Sequence, residues 1–176
     1  FFNYQMTSLD DVRSMAILGL AAGTTAHQAA SVFPNIKIDG YEIDQEIIGV
    51  GEKYFDMRLP ELTAHAEDAR WGIAHSSRSF QVISVDAYRP PYIPWHLTTV
   101  EFFNEVYDHL TEDGVLVINI ARIFNDRQLV DSLYSTISAV FPSVYVTDIP
   151  DSFNSIIFAT KTPTVFENPI SNYLAL

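Results

Sequence analysis

Three carboxylates, Glu42, Asp68 and Asp86, each stand where an apolar, strand-like run gives out, and the turn G-L-A-A-G-T, opening at Gly19, closes an earlier run of the same kind. In an open α/β sheet, ligands sit beyond the carboxyl ends of the strands, so acids and glycines at those ends form a constellation rather than a solvated face. Gly19 and Gly23 let the backbone turn tightly and approach a ligand with no Cβ in the way. The helix expected after them offers unpaired N–H groups in its first turn. Glu42 lies about twenty residues beyond the turn, the separation at which an acid reaches a ribose diol in nucleotide-binding βαβ units. The strict G-x-G-x-x-G is absent. By itself the turn also fits any doubly wound domain with a tight first connection, and Glu42 also fits a surface acid.

Asp68 sits in E-D-A-R just before an expected helix, where an N-cap competes with a contact to a nucleobase amine, and different oxygens can serve both. Asp44, two residues past Glu42, reads as the N-cap of the next helix. Asp86 emerges from Q-V-I-S-V and is expected to be partly desolvated, which suits it to take a proton from an amine or to hold a cation. The alternative is an Asp that satisfies loop N–H groups. From Asp86 to Leu97 the chain reads D-A-Y-R-P-P-Y-I-P-W-H-L, a stiff aromatic segment expected to lie as a lid over the sheet edge. Its Tyr88, Tyr92 and Trp95 can face a sulfonium or ammonium by cation–π contact, or simply pack.

These residues need a frame to hold them, and the chain alternates strand and helix patterns throughout. Strands are expected at about Met15–Gly19, Ile36–Tyr41, Leu62–Ala66, Phe80–Asp86, Gly114–Ala121, Val144–Asp148 and Ser155–Thr160. Helices fit Thr24–Phe33, Gln45–Phe55, Ala69–His75, Thr99–His109 and Asp126–Phe141, placed as crossovers. Only Ile149–Asn154 separates the last two strands, too short for a crossover, so they should pair antiparallel. The expected fold is a Rossmann-like α/β domain, a seven-stranded mostly parallel sheet with one antiparallel strand at its end and helices on both faces. Phe102, Phe103, Val106 and Leu110 recur at helical spacing and read as core.

Composition narrows the function. At 176 residues, with 48% hydrophobic and 18% charged, the chain has enough core for one domain. A formal charge of −12 with ten Lys and Arg disfavours nucleic acid and favours cationic ligands. Without cysteine there is neither a disulfide nor a thiolate metal site. His27, His65, His75, His96 and His109 lack ligand spacing, so no metal is expected, His96 being the one worth testing. No G-x-S-x-G carries a nucleophile. No apolar run spans a membrane, and a cytoplasmic location is expected, either alone or as the soluble domain of a larger membrane-associated protein. The chain begins without Met and in mid-pattern, which points to a longer protein. Residues 1–13 read as an N-terminal remnant or linker, 14–162 as the nucleoside-binding catalytic domain and 163–176 as a tail that packs loosely or meets another protomer.

The order G-L-A-A-G-T, Y-E-I-D-Q-E-I-I-G-V-G-E-K-Y-F, H-A-E-D-A-R, F-Q-V-I-S-V-D-A-Y and E-F-F-N-E-V-Y-D-H-L-T-E-D-G-V-L-V-I-N resembles the catalytic domain of the polyamine aminopropyltransferase (spermidine synthase) family over Ser14 to Thr160. It is especially similar to a bacterial spermidine-synthase-like branch carrying the D-A-Y-R-P-P-Y-I-P-x-H-L loop, some of whose members are fused to membrane segments. The resemblance implies the class I S-adenosylmethionine-dependent methyltransferase fold. It also implies decarboxylated S-adenosylmethionine as co-substrate, or methylthioadenosine as product, with Glu42 on the ribose, Asp68 and Ala69 at the adenine, and Gly19, Ala21, Gly23 and Ile43 among the other residues that bind it. Asp86 is then the base, with Tyr88 beside it, and Asp86, Arg89 and Tyr92 line the subsite of a small amine or polyamine. No metal takes part. Such relatives commonly dimerise or tetramerise, so a homodimer is implied.

Two departures from that family pattern bear on the substrate. Ala22 stands where G-G-G-D-G-G carries an acid for the aminopropyl ammonium, and Arg89 stands where a second Asp holds the far amine. Both suit a ligand that keeps its carboxylate, with Arg89 pairing it, which is the expectation for an S-adenosylmethionine-dependent methyltransferase. The family's N-terminal β-rich domain is not expected here, with only about thirteen residues ahead of the first strand. A third reading is a nucleoside-binding domain without turnover.

Overall fold

A computed structural model describes residues 9–87, 93–122, 126–165 and 167. Tyr88, Arg89, Tyr92 and most of the tail, 166 and 168–176, lie outside them. The described chain runs from a one-turn 3-10 helix, Leu9–Asp11, through β1 (Ser14–Leu18), α1 (Thr24–Val32), β2 (Lys37–Glu42), α2 (Gln45–Tyr54), β3 (Leu62–Ala66), α3 (Ala69–His75) and β4 (Phe80–Val85). A second 3-10 turn, Trp95–Leu97, leads to α4 (Val100–His109), β5 (Leu110–Ala121), α5 (Gln128–Ser138), β6 (Ser143–Asp148) and β7 (Asn154–Thr160).

All seven strands form one sheet in the order β3-β2-β1-β4-β5-β7-β6. The β1, β2, β3, β4 and β5 pairings are parallel, and β7 runs antiparallel to both β5 and β6. The antiparallel strand is therefore one in from the edge, not at the sheet's end. The α5 crossover carries β6 past a strand-wide gap, and the short link after β6 folds β7 back into it. A second difference lies in β5. It begins at Leu110, which pairs with Phe80, and after an excursion over 111–114 the ladder resumes with Val115 opposite Val82. Thr111 Oγ1 donates to Asp113 Oδ1 at 2.6 Å within that excursion, so the strand expected from Gly114 starts four residues earlier, with Asp113-Gly114 an interruption inside it.

Period-two alternation sorts the central strands between two cores. Met15 and Ile17 of β1 join Ala26, Ala29, Ile38 and Ile48 under α1 and α2. Ala16 and Leu18 join Ile73, Phe80, Phe102, Phe103, Val106, Leu110 and Leu133 under α3, α4 and α5. β2 contributes a polar layer to the second face. Buried Asp39 accepts from His65 Nε2 at 3.1 Å and pairs with Arg78, while the His65 ring stacks on Tyr41 with centroids 4.9 Å apart. Asp44 caps α2, accepting from Glu46 N at 2.8 Å.

Candidate functional site

The register aligns the strand ends. Leu18 of β1 pairs with both Tyr41 of β2 and Val85 of β4, and Val85 pairs with Ile118 of β5. The next residue of each, Gly19, Glu42, Asp86 and Asn119, thus falls in one row along the sheet's carboxyl edge. From β1 the chain winds outward one way through β2 and β3, then returns to β4 on β1's other side. That reversal is the switch point at which such sheets open a crevice. At Gly19 the backbone adopts φ +102°, and a Cβ there would lie 2.6 Å from the Asp86 carbonyl oxygen. Asp86 N donates to Leu18 O at 2.9 Å, and Gly19 N donates to Tyr41 O at 3.0 Å, so three strands close on this turn.

Glu42 reaches across the crevice floor. Its Oε2 accepts from Ala21 N at 3.0 Å and its Oε1 from Asp44 N at 3.2 Å. Ala21 is held at φ +48°, a left-handed conformation that an L-residue adopts at a cost. The carboxylate thus fixes the turn while retaining acceptor capacity, since each oxygen carries two lone pairs. Ile43 beside it is 70% exposed, an aliphatic surface at the same edge. Gly23, at φ +88°, precedes α1, whose first turn has no side-chain cap.

Asp68 and Ala69 open α3. Asp68 Oδ1 accepts from both Arg70 N and Trp71 N at 3.0 Å, and Oδ2 accepts from His96 Nε2 at 2.9 Å. A carboxylate only accepts, so Nε2 carries the proton. Arg70 completes the knot, its Nη1 donating to the His96 carbonyl at 3.1 Å and its Nε and Nη2 gripping Glu105 of α4 at 2.8 and 2.6 Å. The Glu105 carboxylate holds that guanidinium above its usual pKa, so Arg70 is a fixed cation. Trp95 stands 76% exposed, edge-on to His96.

Asp86 lies past the last residue of β4. Val85 is buried but Asp86 is exposed, so the expected partial desolvation is absent, because the strand's two-sided cover ends between them. Asn119 Nδ2 donates to Asp86 Oδ1 at 3.1 Å. Beside this pair an apolar recess is lined by Val85, Ala87, Ile93, Leu97 and Ile118.

The described residues therefore bring Gly19, Ala21, Glu42 and Asp86 together around the switch point, with Asp68 at the neighbouring end of β3. Tyr88, Arg89 and Tyr92 lie outside them. Asn119 is signalled in sequence only by a single amide in V-I-N-I-A, and no spacing announces the His96–Asp68 bond.

Comparison with known proteins gives this edge a family. Residues 5–172 match the "Spermine/spermidine synthase domain". The "Probable polyamine aminopropyl transferase" of Bifidobacterium longum (strain NCC 2705) is 35% identical over 155 residues, which is 86% of this chain but 34% of that protein. The chain thus spans about a third of that curated relative's length. Spermidine synthase from Thermotoga maritima superposes with a TM-score of 0.77 at 26% identity, over 92% of this chain and 58% of that one. Human methyltransferase-like protein 13, solved in complex with SAH, superposes with a TM-score of 0.84 at 25% identity, over 99% of this chain and 84% of that one. Among the described residues no helix is long and apolar enough to cross a membrane. Strand order, crevice and sequence agree, and the chain belongs to the spermine/spermidine synthase domain family, on a class I methyltransferase-like fold.

Proposed function

We propose that this chain binds the nucleoside of decarboxylated S-adenosylmethionine and transfers its aminopropyl group to an amine. The observation that carries this is the Glu42 carboxylate, fixed by Ala21 N and Asp44 N at the switch point, where a ribose diol can donate to its remaining lone pairs. Asp68 and Ala69 then meet the adenine, with Ile43 against its face. Asp86, oriented by Asn119, takes the proton of the attacking amine. The freed nitrogen lone pair forms a C–N bond at the carbon next to the sulfonium, the C–S bond breaks, and methylthioadenosine leaves. The formal charge of −12 favours a cationic acceptor, and the amine class follows from the aminopropyltransferase relative.

Calorimetric titration with methylthioadenosine, S-adenosylmethionine and its decarboxylated form tests this. Preference for the decarboxylated form is expected. Glu42→Ala should weaken methylthioadenosine at least about tenfold, since hydrogen bonds to a charged group are worth roughly 1.5–3 kcal/mol. Unchanged affinity removes the ribose role. Asp86→Asn should cut turnover by roughly 10²–10⁴ with nucleoside affinity within a few-fold, and undiminished turnover removes the base.

A second reading is S-adenosylmethionine-dependent methyl transfer. It is favoured by the superposition on methyltransferase-like protein 13, which covers 84% of that chain, and by Ala22 in the glycine turn, which leaves that position without a carboxylate. Preference for the intact sulfonium in the same titration supports it.

A further inference from the structure

The proposed adenine contact of Asp68 leaves open how one carboxylate can both cap a helix and read a base. Oδ1 accepts two bonds, from Arg70 N and Trp71 N, and a carboxylate oxygen has two lone pairs, so Oδ1 is filled by the helix. Oδ2 accepts from His96 Nε2 at 2.9 Å. Whatever a nucleobase receives from Asp68 comes from the other lone pair of Oδ2, and its direction is set by the His96 bond. His96 cannot drift, because Arg70, from the turn that Asp68 caps, holds its carbonyl at 3.1 Å and is itself gripped by Glu105 of α4. Asp68, Arg70 and His96 form a closed ring of bonds, with the imidazole 31% and the carboxylate 35% exposed and so open to a ligand on one side.

We propose that His96 is a positioning residue that sets nucleobase choice. By occupying one lone pair of Asp68 Oδ2 it aims the other as a fixed acceptor, so that the site takes a base offering an exocyclic amine and refuses one offering a carbonyl. Adenine donates there; hypoxanthine presents an oxygen to an oxygen. A site built to accept a hydrogen bond rejects an analogue that cannot donate it, whereas without the His96 bond Oδ2 is free to shift about the helix-bound Oδ1 and discriminates less. The inference rests on the nucleoside reading of the site.

The test measures affinities for methylthioadenosine and methylthioinosine by calorimetry in the unmodified chain, His96→Ala and His96→Gln, with circular dichroism to check the fold. The unmodified chain should prefer the adenine ligand by roughly tenfold or more. In His96→Ala that ratio should fall to within about threefold, and His96→Gln, whose amide can donate to Oδ2, should recover much of it. Loss of helix support alone would weaken both ligands together and leave the ratio standing. A preserved ratio in His96→Ala overturns the role of His96, while binding of neither ligand by the unmodified chain overturns the nucleoside reading beneath it. Should His96→Ala misfold, the ratio in His96→Phe, which also lacks a donor, decides in the same way.

Discussion

Gly19 is the residue with least freedom to change. Its φ of +102° excludes an ordinary side chain, and a Cβ would lie 2.6 Å from the Asp86 carbonyl oxygen and 2.8 Å from Ala87 N, both backbone atoms that cannot swing aside. Gly19→Ala should cost roughly 2–5 kcal/mol, from the strained dihedral plus overpacking, read as a lower urea midpoint; a loss under about 1 kcal/mol would show that the turn relaxes. This constraint was legible in sequence because glycine at the end of an apolar run has few other uses. Glu42, Asp68 and Asp86 were legible as acids at strand ends for the same reason. The partners of those acids were not. Asn119 and His96 meet Asp86 and Asp68 across sequence gaps that only strand register and the 3-10 turn bridge, and local pattern holds no record of either. The expected burial of Asp86 failed because an apolar run tells where cover exists, not where it stops.

At the scale of elements, periodicity placed each described strand and α-helix to within a few residues, apart from the start of β5, but not the 3-10 turns Leu9–Asp11 and Trp95–Leu97. There Leu110 satisfies helix spacing and strand pairing at once, and tertiary pairing with Phe80 assigns it to β5. The β2, β3 and α3 layer carries a polar seam that alternation alone does not disclose. Tyr41 is wedged against α3, where a Cβ on Gly72 would come within 2.3 Å of its ring. Burial, and after it the Asp39 carboxylate, hold the Tyr41 phenol above its usual pKa. A raised folded value means that its contribution to stability is whole below the unfolded value, about 10, and fades as pH rises through the folded one. Stability should therefore decline more steeply above about pH 10 in the unmodified chain than in Tyr41→Phe, by urea midpoints taken across that range. Parallel slopes would show that Tyr41 ionises in the folded chain as readily as in the unfolded one.

Across the whole molecule, the reversal of winding between β1 and β4 gathers Gly19, Glu42, Asp86 and Asn119 from segments far apart in the chain. Seven strands in one sheet make that gathering all-or-none, since β1, β2, β4 and β5 must all be in register before the row exists. A nucleoside bound there, as proposed, would bridge the ends of β1, β2 and β4. Ligand at a hundredfold over its dissociation constant adds about 2.7 kcal/mol to global stability if the unfolded chain does not bind it. For a domain of this size, that is a rise in melting temperature of roughly 5–10 °C. A melting curve with methylthioadenosine that moved only one local transition would mean that the crevice opens without the sheet. With the proposed nucleoside bound, the reversal would make occupancy and endurance one quantity, so the chain should resist unfolding longest where that ligand is plentiful.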